Sequence, residues 1–253
     1  MIENLSAYII WSFAAVTIST VIFYLHAVWK TGQKTFFLLT AVVLVFLLAV
    51  HAWLAFNGFY LVQTIPSRFF LGLLPTTVIL LVLYFACARR DIPIQSLQIL
   101  TLLSVIRVPV EIILLSLARE GQIPQLMTFE GRNLDILSGL TAPLVAWLAF
   151  RGGNVNRPLL LGWNLLALGL LLNILTNAVL SLETPFQQFA FDQPNRGVLY
   201  FPFIWLPAII VPVVFVSHVI SLRQLLKHSF RNGWTSRIQN IRQLKINKNK
   251  EQF

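Results

Sequence analysis

Residues 96–118 read SLQILTLLSVIRVPVEIILLSLA. The stretch is long enough to cross a bilayer, which needs ~20 apolar residues. Yet Arg107 and Glu111 stand near its middle, with Pro109 between them. Each charge placed in hydrocarbon costs roughly 2.5–3.5 kcal/mol on insertion scales. A lone helix of this sequence would insert poorly, so other helices must surround it and shield its charges. Arg107 and Glu111 are four residues apart, on one helix face and separated by about 6 Å of rise. This spacing predicts that they pair. Pro109 removes the hydrogen bond to the Val105 carbonyl and predicts a kink, and Arg107 is placed to cap the freed carbonyl.

The rest of the chain supplies the companions. Of its 253 residues 57% are hydrophobic and 11% charged, with a mean hydropathy of +0.76. Soluble domains average about 25% charged residues, so the fold class is all-α, a polytopic membrane bundle. Hydropathy places seven transmembrane helices at Ser6–Trp29, Phe36–Asn57, Arg68–Ala88, Ser96–Ala118, Asn133–Phe150, Pro158–Leu182 and Leu199–Leu226. Residues 1–226 thus form one transmembrane domain and 227–253 a basic tail. Within that tail Trp234, Ile238, Ile241 and Leu244 recur at helical spacing among Arg237, Arg242 and Lys245. This is the pattern of an amphipathic segment lying on a membrane surface; from Asn247 onward disorder is expected. No internal repeat is visible. The N-terminal MIENLSAY has no basic region and no small-residue cleavage site, and reads as the start of the first span rather than a cleaved signal.

Lysine and arginine set the expected orientation. Fourteen fall on the side of Lys30, Lys34, Arg89, Arg90, Arg151, Arg157 and the eight basic residues of 223–253, against four on the other, namely Arg68, Arg119, Arg132 and Arg196. The N-terminus is therefore expected outside and the C-terminus in the cytoplasm, in a cell membrane. Residues 223–253 carry eight basic residues against Glu251, most of the formal +10. Such a tail points to anionic lipid headgroups rather than nucleic acid.

Polar residues inside the spans are the functional candidates, because ionisable groups in hydrocarbon are expensive. Arg107, Glu111, Asp135, Asn173, Asn177 and His51 come from four spans and reach the outer half of the bundle by count of residues. Together they outline a ligand-binding pocket that opens outward, for a small polar or anionic molecule, an ion or a proton. Arg107 would hold the ligand or its counter-charge. Asn133 reads as an N-cap with Asp135 in the first turn of its helix. Asp135, Ser138, Gly139 and Ala142 form a small-residue stripe where another helix or a ligand can approach. Gly162, Gly169, Asn173 and Asn177 form a second. The loop from Glu183 to Val198 carries Phe186, Phe189 and Phe191, and suits a lid or an interfacial segment. Pro202, Pro207 and Pro212 predict a bent or partly broken last helix.

Two alternatives use the histidines. His26 and His218 lie at similar depth and could ligate a b-type haem if the first and last helices are neighbours. His51, Glu111 and Asp135 could hold a metal in a membrane-embedded enzyme, though a third strong ligand is lacking. A third alternative is a scaffold or assembly factor whose buried charges only join helices. No lysine lies within a span, which excludes a retinal Schiff base, and HExxH, HxxxH, Walker A and GxSxG patterns do not occur. The one cysteine, Cys87, excludes an internal disulfide. It falls near a span end, where it reads as a small buried residue or a palmitoylation site.

Overall fold

The computed structural model describes residues 2, 5–88, 91–153 and 155–227, which include no strand. Beyond Lys227 the basic tail, with its amphipathic stretch, lies outside the described residues, as do Arg89 and Arg90. The helices are α1 (Ala7–Trp29), α2 (Lys34–Phe56), α3 (Phe69–Cys87), α4 (Ile94–Leu103), α5 (Arg107–Arg119), α6 (Ile136–Phe150), α7 (Arg157–Leu180) and α8 (Leu206–Lys227). α4 and α5 form one rod, so the described residues hold seven rods, six of them long and apolar enough to cross a membrane. Their outer surfaces are greasy: Trp11 is 70% exposed and Phe46 63%. A surface of this kind is costly in water and normal against lipid. Buried threonines spend their hydroxyls on their own helix, as Thr17 does on the Phe13 carbonyl (3.0 Å) and Thr40 on that of Phe36 (2.7 Å), so they add no unpaired groups.

Three elements depart from plain α-helix. The Ser96–Ala118 stretch stays helical through Pro109. A 3₁₀ turn over Ser104–Ile106 joins α4 to α5, tightening the backbone just ahead of Pro109, whose missing N–H frees the α-helical bond there. α6 has only 15 residues, about 22 Å at 1.5 Å per residue. It is shorter than expected because residues 120–135 fold as an irregular loop. α8 begins seven residues later than hydropathy suggests and opens with a π turn over Leu206–Ile210. Pro202 lies in the turn before it and Pro207 within it, so the three prolines delay and loosen the helix start.

α8 is the most enclosed helix. In its most apolar window 67% of residues are buried, against 50% for the α4–α5 rod and 22% for α2. The central element is therefore the last helix, with the charged rod beside it. The π turn packs on α3, where a Cβ on Gly72 would lie 3.4 Å from that of Ala208, and the Trp205 indole donates to the Leu48 carbonyl of α2 (3.0 Å). α1 touches α2, α4 and α5. Short connections make sequence neighbours antiparallel, so the longer loops 57–68, 120–135 and 181–205 gather at one end. Two of these are stitched together. The Gly197 N–H donates to the Gln122 carbonyl (2.7 Å), where a Cβ would collide at 2.9 Å, and the Gln193 amide reaches the carbonyls of Ala118 (3.1 Å) and Ile123. The 183–198 loop is thus pinned, though Phe186 and Phe191 stay exposed.

Candidate functional site

The buried charges assemble where α5, α6, α7 and α8 meet. Arg107 is 3% exposed, Glu111 2%, Asp135 5% and His218 2%. Arg107 does not pair with Glu111. Its Nη1 donates to Asp135 Oδ1 at 2.6 Å and to the Ala167 carbonyl of α7 at 3.1 Å, while Nη2 donates to His218 Nε2 at 2.7 Å. Nor does it cap the Val105 carbonyl. Helical side chains lean toward the N-terminus, which carries Arg107 deeper into the bundle and away from Glu111. An Arg-then-Glu order at i, i+4 is also the weaker orientation for a helical pair.

Because a guanidinium only donates, His218 Nε2 accepts, and its Nδ1–H donates to Asn164 Oδ1 at 2.9 Å. The Asn164 amide is held in turn by the Leu160 carbonyl (2.8 Å). Both imidazole nitrogens are therefore engaged, and His26 is exposed beside Trp29. The two do not present a free pair of axial ligands to a haem. Among the described residues no three His, Cys, Asp or Glu side chains gather as a metal site, so His51, Glu111 and Asp135 do not converge.

Glu111 has a different partner. One carboxylate oxygen accepts from the Asn133 amide, which also donates to the Met127 carbonyl (3.0 Å), and Asn133 Oδ1 accepts from the Asp135 N–H (3.0 Å). Asn133 is thus a clasp between Glu111 and the start of α6 rather than a helix cap; the cap position is Asp135. The stripe on α6 brings a helix close, as expected. Ser138 and Ala142 are fully buried, and a Cβ on Gly139 would lie 2.8 Å from Val108 Cγ2 and 3.1 Å from the Ser104 carbonyl. Gly139 lets α6 approach the 3₁₀ turn and so brings Asp135 within reach of Arg107.

Other sequence candidates lie elsewhere. His51 is buried, with Nδ1 2.5 Å from the Tyr60 hydroxyl. Asn173 is exposed and donates to the Arg132 carbonyl (2.9 Å). Gly162 and Gly169 on the same face also point outward with open space beside them, whereas Asn177 is buried. Missed by the sequence reading were Asn164 and Asn195. Asn164 interrupts an apolar run of α7, which is the signal that marks it, whereas Asn195, between Pro194 and Arg196, carries no such signal.

Glu111 borders a cavity of about 60 Å³ that also touches Arg107, Asp135 and Asn195. That is room for on the order of four waters. The remaining wall is almost wholly apolar and includes Phe69, Leu114, Leu175 and the π turn of α8. Three buried polar atoms of its lining residues have no hydrogen-bond partner among the described residues: Glu111 Oε2, Arg107 Nε and Asn195 Oδ1. Leaving such an atom unmet costs about 1–3 kcal/mol.

No curated protein and no solved structure matches the chain. One family profile does, over residues 64–226. That range holds every member of the Arg107 network and of the cavity wall, and omits His26, His51 and Tyr60. The chain belongs to the family described as Domain of unknown function (DUF8737).

Proposed function

We propose that this is a multi-pass cell-membrane protein, with its loop-rich end outside and its C-terminus in the cytoplasm, that binds a small ligand in the cavity beside Glu111. Its action is receptor-, sensor- or carrier-like. The ligand has an apolar flank and a hydrogen-bond donor for the Glu111 carboxylate. Arg107 already has its counter-charge in Asp135, which favours a donor-bearing head over an anionic one. The observation that carries this reading is one otherwise apolar cavity lined by Glu111, Arg107 and Asn195, each of which keeps a buried polar atom without a partner among the described residues. The orientation is supported by Lys30, Lys34, Arg151, Arg157, Arg223 and Lys227 at the end away from the long loops.

The test is a thermal-shift series on detergent-purified protein with isobutylamine, isobutanol and isobutyrate. The amine and the alcohol should stabilise the protein saturably, and isobutyrate should not. Glu111→Gln should weaken the effect and Leu175→Trp, which fills the cavity, should abolish it. Equal responses in wild type and Leu175→Trp sink the proposal.

A structural reading of the charges also has an observation behind it. Arg107, Asp135, His218 and Asn164 bond one another across four helices, and such a network fixes helix positions whether or not the cavity is filled.

A further inference from the structure

Two clefts adjoin at the loop-rich end. One, of about 270 Å³, is polar and lies between the 57–68 and 181–205 loops, with Tyr60, Gln63, Glu183 and Arg196 in its wall. The other, of about 290 Å³, is apolar and lies between the start of α3 and the end of α7, with Ile65, Phe70, Val179 and Phe186 in its wall. Thr64, Ser67 and Leu182 line both, so they form one hollow with a wet half and a greasy half. Sites for larger, drug-sized ligands run from about 300 to 1,000 Å³, which neither cleft reaches alone.

The polar half holds one cation and one anion. Arg196 Nε donates to Glu183 Oε2 at 2.7 Å and Nη2 to Oε1, and the two side chains keep 63% and 30% of their exposure. At the rim of the apolar half Ile65 is 71% exposed and Phe186 68%. Such residues suit the boundary between headgroups and acyl chains, where one side is wet and the other is not.

We infer that this hollow binds one zwitterionic phospholipid. An acyl chain lies along Phe70 and Val179, the phosphate faces Arg196 and the amine faces Glu183. A purely anionic headgroup would meet the Glu183 carboxylate and a purely cationic one the Arg196 guanidinium, whereas a zwitterion lies head-to-tail alongside the bonded pair and meets each exposed charge with its opposite. The inference rests on α3 and α7 crossing a bilayer and is independent of what fills the cavity beside Glu111.

The full chain, reconstituted in nanodiscs of equal phosphatidylethanolamine and phosphatidylglycerol and released into mild detergent, is read by native mass spectrometry. One phosphatidylethanolamine should be retained, enriched about fivefold over phosphatidylglycerol, the scale of an exposed charge pair. The Glu183→Gln/Arg196→Gln double variant should lose the preference while the basic tail stays intact. Val179→Trp should lose the lipid itself, and Glu111→Gln should retain it. A retained ratio equal to that of the nanodisc, or a preference unchanged in the double variant, overturns the inference. Failure of the chain to enter nanodiscs at all overturns the membrane reading instead.

Discussion

Arg107 and Asp135 meet at 2.6 Å across the contact of α5 with α6, both nearly devoid of solvent. This bond joins residues 28 positions apart in sequence and fixes where α6 begins. It also leaves Glu111, one turn along α5, with a carboxylate oxygen unclaimed.

Removing either partner strands the other. Arg107→Ala and Asp135→Ala should each cost about 3–5 kcal/mol, the usual result of leaving a buried charge unpaired. The Arg107→Ala/Asp135→Ala double variant should cost far less than the sum. Equilibrium unfolding in mixed micelles measures all three; additive losses would show that the bond contributes no coupling.

Glu111→Gln should behave differently. Glutamine keeps an oxygen for the Asn133 amide, so the unfolding midpoint should stay close to wild type. Binding of isobutylamine should weaken about tenfold, equivalent to roughly 1.4 kcal/mol. Titration calorimetry on the purified variant checks it.

The two glycine stripes should separate cleanly. Gly139→Ala places a methyl 2.8 Å from Val108 Cγ2 and should destabilise by about 1–3 kcal/mol through overpacking. Gly162→Ala meets nothing and should stabilise α7 by up to about 1 kcal/mol from helix propensity. Thermal melts of the two variants side by side decide the matter.

Tyr60 lies outside the long apolar helices, in a 3₁₀ turn of the 57–68 loop, and burial pushes its phenol from 10.0 up to about 12. The folded state therefore holds this proton more tightly than the unfolded chain. The stability so gained is complete below pH 10 and is lost as pH rises toward 12. Stability measured across that window should fall more steeply for wild type than for Tyr60→Phe. At neutral pH the same variant should lose about 1–3 kcal/mol, because His51 forfeits its partner.

The bundle was legible from hydropathy because lipid-facing helices must be apolar and bond their own backbones. Gly139 was legible as a point of close approach because small residues at i, i+3, i+4 and i+7 leave few other uses. The partner of Arg107 was not legible. A helical neighbour at i+4 is local knowledge, whereas Asp135 and His218 are brought up by packing of separate rods. Asn133 looked like a cap because capping depends on adjacent sequence, while its bond to Glu111 depends on the fold of the 120–135 loop. The depth of Asn173 suggested the pocket, but depth says nothing about azimuth, and α7 turns that residue outward.

The 15-residue length of α6 has a consequence for the bilayer itself. Its axial reach falls ~7 Å short of a 30 Å hydrocarbon core, while Leu137, Leu140, Leu144 and Trp147 along it face outward. In the membrane placement proposed above, acyl chains bordering this helix shorten or splay, a hydrophobic mismatch costing fractions of a kcal/mol per Å. On that placement membrane thickness becomes a force on the helix whose N-terminal cap residue, Asp135, is the counter-ion of Arg107.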